Sequence, residues 1–77
     1  MTKDKTYNGW ANYETWNCAV WIGSDEGLYN IAKQHKRWDD LADELIEDLS
    51  MPTTPDHVAW DLPCLDRTEL NSMLEEL

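Results

Sequence analysis

The chain has 77 residues, 42% of them apolar, and sixteen acids against six bases give it a net charge of −10. Affinity for nucleic acid rests on Lys and Arg neutralising phosphates, so this charge argues against direct binding of nucleic acid and, equally, of an anionic membrane surface. The length suits one domain, which at this size buries only about 60% of its unfolded-chain surface and therefore needs a dense core.

Residues 1–9 are polar and read as a flexible N-terminal arm ending in an Asn8-Gly9 turn, ahead of a single helical domain over 10–77. Asn12 is a good N-cap and Glu14 suits a first turn, which predicts a helix from about Tyr13 to Ile22. Trp16, Ala19 and Val20 share one face of it, and Gly23 fits the position just past its end. Ser24 is the expected cap of a second helix, with Asp25 and Glu26 in its first turn. Leu28, Ile31, Ala32 and His35 follow at spacings of three and four, and Lys33, Lys36 and Arg37 gather at its C-terminal end. The apolar series continues to Leu49 with no phase jump, Gly or Pro. Two helices with a bend near Gln34 to Arg37 are favoured, and one long helix over 25–49 is the alternative.

The segment Trp38 to Leu49 divides sharply when wound at about 100° per residue. Trp38, Leu41, Ala42, Leu45, Ile46 and Leu49 fall inside; Asp39, Asp40, Asp43, Glu44, Glu47 and Asp48 fall outside. The acids form two i, i+4 rows, and like charges at that spacing weaken a helix by a few tenths of a kcal/mol per pair. Pro52 and Pro55 make Ser50 to Asp56 a loop, and Val58-Ala59-Trp60 is a short extended piece that lays Val58 and Trp60 across the helices. Asp66 with Glu69 three positions on is a capping-box pattern opening a last helix, whose apolar face is Leu70, Met73, Leu74 and Leu77. The predicted fold is all-α: a compact domain of three to four short helices, with a Pro-containing loop and a short extended segment before the last helix.

Few residues suit catalysis. His35 and His57 are the two histidines, and a pairing of His57 with Cys64 as base and nucleophile reads more simply as surface chemistry. No CxxC or HxxxH spacing supports a metal, and no alternating Asp/Asn loop with a central Gly supports calcium, so no metal or cofactor is expected. Two cysteines make no disulfide framework, Cys18 reads as a small packed hydrophobe, and no signal peptide or apolar run of about 20 residues appears, which fits reducing cytosol.

Five tryptophans are many for so small a core. Trp16 and Trp38 are expected inside. Trp21 lies about 140° from Trp16 on the first helix, so Trp21 or Trp10 is the candidate half-exposed anchor for a partner. The six acids of residues 39–48 occupy about 13.5 Å of helix axis, one charge per ~2–3 Å, between the spacing of a single DNA strand and that of the duplex. Such a face can stand in for a phosphate backbone.

The run Tyr7-Asn-Gly-Trp-Ala-Asn-Tyr-Glu-Thr-Trp-Asn-Cys-Ala-Val-Trp-Ile22, with Asp25-Glu-Gly-Leu-Tyr29, resembles a family of small proteins carried by bacteriophages and plasmids, whose signature is close to YNGWxNYETWNxAxWI. Thr54 to Trp60 and Glu69 to Leu77 resemble the C-terminal half of the same family. The resemblance implies a genomic setting and the cytoplasm of a bacterial host cell; it carries over no catalytic residue. The polar residues within the motif read first as devices that lock the first helix.

The functional expectation is a non-enzymatic, acidic inhibitor of anti-CRISPR or anti-restriction type, a DNA mimic that binds the basic, nucleic-acid-binding surface of a host defence protein. Asp39, Asp40, Asp43, Glu44, Glu47 and Asp48 would carry it, with Trp21 or Trp10 as anchor. The alternative is an interaction module that binds another host or phage protein through an aromatic surface, with the acids serving solubility.

Overall fold

In the computed structural model, residues 7–77 are described; residues 1–6 of the predicted arm 1–9 lie outside them. Residues 7–10 form a tight turn. Tyr7 and Trp10 exchange backbone hydrogen bonds of 2.7 and 2.8 Å across Asn8 and Gly9, whose φ angles are 49° and 88°. Two positive φ angles in succession mark the turn that Asn-Gly favours.

Four α-helices follow, and no strand occurs among the described residues. The first, α1, runs Tyr13–Ser24 and is capped by the Asn12 side chain on the Thr15 N–H. It does not stop at Gly23. Asp25 closes it, giving its N–H to the Trp21 carbonyl, and the Asp25 side chain then caps α2, Glu26–Ala32, on the Leu28 N–H. One residue ends one helix and starts the next, which leaves no room for a left-handed glycine and makes Asp25, not Ser24, the cap.

The chain breaks after Ala32 and restarts as α3, Trp38–Asp43, from an extended Arg37. This is the two-helix arrangement with a bend. No local side chain caps α3. Asn71, from the last helix, accepts the Trp38 N–H at 2.6 Å. Beyond Asp43 the helix widens into a π-helical turn, Glu44–Asp48, in which the Leu49 N–H reaches back five residues to the Glu44 carbonyl. The wider turn shifts every later side chain off the 100° spiral. Leu45 stays buried and Ile46 is partly buried, but Leu49, expected inside, is 43% exposed.

The last helix, α4, spans Arg67–Glu75. Asp66 caps it on the Glu69 N–H, but the predicted capping box is opened out. The Glu69 carboxylate accepts from the Ala11 N–H at 2.8 Å, and the Asp66 N–H goes to the Thr15 hydroxyl at 3.0 Å. Both halves of the motif staple α4 to the start of α1.

The core gathers Cys18, Ile22, Leu28, Ala32, Trp38, Leu41, Leu45, Val58, Trp60, Leu65, Leu70 and Leu74. Trp38 and Trp60 are fully buried with ring centroids 5.9 Å apart, and the Trp38 indole N–H donates to the Trp60 carbonyl at 2.7 Å. The Trp60 indole N–H is buried with no acceptor among the described residues. Val58 and Trp60 thus do lie against the helices, from a segment where Thr53 and Ala59 form a single bridge. Trp16, expected inside, is only half-buried. It packs outside the core against Tyr7 and Tyr13, at 4.8 and 5.7 Å between centroids.

Candidate functional site

The six acids of α3 and its π-turn do not share one environment. Asp39, Asp40 and Asp43 are exposed on α3, and Glu47 and Asp48 are exposed on the π-turn. Glu44 is half-buried and hydrogen-bonded to His35, a residue of the bend between α2 and α3. Asp39 accepts from the Arg67 Nε at 3.3 Å, while the same guanidinium donates to the carbonyls of Leu62 and Leu65. Glu44 and Asp39 therefore help fix the bend and the 62–67 connection. Asp40, Asp43, Glu47 and Asp48 have no ion-pair partner among the described residues. The two straight rows expected from a regular helix are interrupted at Glu44, where the π-turn begins.

Position along the helix matters as well. Carboxylates favour a helix N-terminus and are disfavoured at its C-terminus by about 0.3–1 kcal/mol each. Asp39 and Asp40 sit in the first turn of α3, which suits them. Glu47 and Asp48 sit at the far end, and the last turn of that element carries no base. Glu75 repeats this at the end of α4, with Glu76 as its C-cap.

Neither candidate tryptophan is a free knob. Trp21 is partly buried, and its indole N–H donates to the Asp56 carboxylate at 3.0 Å. Trp10 packs against the core edge and, with Gly9, Thr68, Glu69, Ser72, Met73 and Glu76, lines a shallow groove of about 420 Å³.

The polar residues of the sequence motif are consumed by the fold. Asn17 is buried and uses both ends of its amide. Its Oδ1 accepts from the Thr54 hydroxyl at 2.7 Å, and its Nδ2 donates to Asp56 at 2.8 Å and more weakly to the Tyr13 hydroxyl at 3.3 Å. The Thr54 hydroxyl also accepts the N–H groups of Asp56 and Val58. Asn12, besides capping, donates to the Cys64 carbonyl at 2.7 Å. Asn12, Thr15, Asn17 and Trp21 thus tie α1 to the 54–56 loop and the 64–66 segment.

Asp56 is the residue that sequence reasoning missed. The hydrogen bonds from Asn17 and Trp21, with a smaller contribution from the adjacent His57, hold its carboxyl below the ordinary carboxylate range. A signal for it existed. Asn17 and Trp21 are an i, i+4 pair of donors on one helix face, and together they call for an acceptor from another element.

His57 occupies a left-handed position, φ 71°, in the turn after Pro55-Asp56, and Cys64 is exposed on the 62–66 connection. No hydrogen bond joins the two among the described residues. Cys18 is fully buried, and its burial pushes the thiol up to about 12. Among the described residues no cluster of three or more His, Cys, Asp or Glu is arranged to hold a metal, and no helix is long and apolar enough to cross a membrane.

No curated protein and no solved structure matches the chain. A family model described as a family of unknown function (DUF7249) matches residues 3–77. Since that span takes in nearly the whole chain, the protein belongs to this family.

Proposed function

We propose that the protein is a non-enzymatic acidic module whose face of Asp40, Asp43, Glu47 and Asp48 occupies a basic protein surface of the kind that binds nucleic acid. The observation that carries this reading is the placement of Glu47 and Asp48. They are exposed, they sit at the helix end that disfavours negative charge, and they have no cationic partner among the described residues. Bases there would stabilise the helix, and acids cost stability. A Lys- and Arg-rich partner reverses that cost on binding. A bacterial defence complex is the setting suggested by the resemblance to phage- and plasmid-borne proteins, and it completes the proposal as an inhibitor of anti-CRISPR or anti-restriction type.

A second reading has its own observation. Tyr7 and Tyr13 are each 40% exposed and form, with Trp16, a trio of touching rings on the surface. A module binding through that aromatic patch would use the acids only for solubility.

The test is capture of a partner from the native cell, followed by competition. On the acidic-face reading the captured protein binds DNA or RNA and is displaced by it. A partner that holds this protein and nucleic acid together, and is lost when Tyr13 is replaced by Ala, contradicts it and favours the aromatic patch.

A further inference from the structure

At the C-terminal end of the acidic face, Leu49 and Met51 stand 43% and 36% exposed. A regular helix would turn Leu49 into the core; the π-turn carries it out. Neither residue hangs on a loose tail. The Leu49 N–H is bonded to the Glu44 carbonyl at 3.1 Å and the Met51 N–H to the Leu45 carbonyl at 2.8 Å. Ser50 between them is held in the left-handed region at φ 53°, a conformation that side chains other than Gly, Asn and Asp rarely take. The backbone is therefore fixed with two apolar side chains in water, next to Glu47 and Asp48.

We infer that Leu49 and Met51 are an apolar anchor that seats in a socket ringed by Lys and Arg on a partner protein. This rests on the acidic-face reading above and adds the contact that gives it grip. Charge selects the occupant. A second copy would bring acids against acids at a net −10 per chain, and a membrane presents anionic headgroups. A basic protein surface with an apolar pocket satisfies both the carboxylates and the two side chains. Buried apolar anchors within a polar rim carry most of the energy in such contacts.

Two synthetic helical peptides of equal positive charge test the inference, one built of Lys and Ala, the other of Lys and Leu with its leucines on one face. The intact protein should bind the Lys/Leu peptide about tenfold more tightly, the gain expected from partial burial of one large apolar side chain. Leu49→Ser with Met51→Ser should abolish that preference and leave binding of the Lys/Ala peptide unchanged. On the unaltered protein, the Leu49 and Met51 methyl NMR signals should move with the Lys/Leu peptide and not with the other, a readout that needs no variant to fold. Equal affinities for the two peptides, or a preference that survives the double substitution, overturn the anchor while leaving the charge reading in place. Undiminished binding of both peptides by Asp40→Lys/Glu47→Lys/Asp48→Lys removes the charge reading itself, and the anchor with it.

Discussion

Asn17 and Asp56 show how single residues set this fold. The buried Asn17 amide is a strong constraint, because removing it leaves the buried Thr54 hydroxyl without its acceptor and away from water. The Asp56 end of the network has a pH consequence with a definite sign. Its folded-state carboxyl titrates below the ordinary carboxylate value of about 3.9, so its contribution is complete above that pH and is lost as pH falls through the lower folded-state value. The Trp21 indole N–H signal should report this titration with a midpoint below the ordinary value, and Asp56→Asn should erase it. A midpoint at or above the ordinary value would contradict the assignment. The two buried tryptophans make a second comparison. Trp38→Phe removes a made hydrogen bond and strands the Trp60 carbonyl, whereas Trp60→Phe removes an N–H that has no acceptor among the described residues. Both lose indole volume, so the difference isolates the hydrogen bond. Trp38→Phe should be the more destabilising by about 1–3 kcal/mol in chemical denaturation, and equal losses would overturn this account.

Among the elements, what was legible in the sequence was what is local. Asn12 and Asp66 announce their helices because a cap acts within three residues, and the apolar spacing of α4 places Leu70 and Leu74 correctly in the core. The favoured break before Trp38 is there, although the apolar series runs through it unmarked and its cap comes from Asn71, 33 residues away. The misreadings have non-local causes. Glu69 looks like a local capping partner but serves Ala11, 58 residues away. The π-turn has no Gly, Pro or phase jump to signal it, so the periodicity placed Leu49 inside and drew the acids as two unbroken rows. Trp16 follows the helical pattern yet is held outside by Tyr7, which the Asn8-Gly9 turn folds back. The α3 cap yields a prediction at this scale. Asn71→Ala should cost about 1 kcal/mol, the usual loss for a capping side chain, although Asn71 lies mid-helix in α4. Hydrogen exchange should rise first at the amide of Trp38, and unchanged protection there would show that α3 does not depend on this contact.

For the whole molecule, charge dominates. Sixteen acids against six bases make the folded chain repel itself, and salt screens that repulsion, with a Debye length of about 10 Å at 0.1 M. The melting temperature should therefore rise from low to moderate NaCl; a steady fall would contradict a surface dominated by like charge. The composition made the charge plain from the start. Which acids are committed to the fold depends on where Arg67 and His35 come to lie, and that needed the structure. Among the described residues Asp39 and Glu44 are engaged, whereas Asp40, Asp43, Glu47 and Asp48 have no ion-pair partner. Reversing Asp40, Glu47 and Asp48 to Lys should leave the domain folded, because Lys suits the helix end that Glu47 and Asp48 now occupy, which offsets the cost of a base at Asp40 in the first turn of α3. The most direct measurement is the affinity of the captured partner for the intact protein and for Asp40→Lys/Glu47→Lys/Asp48→Lys across a series of salt concentrations. For the intact protein, affinity should fall as salt rises, and the folded variant should bind at least tenfold more weakly, about 1.4 kcal/mol, with a flatter dependence on salt. Equal affinity and an equal salt slope for the two proteins would contradict the claim that this acidic face is the binding surface.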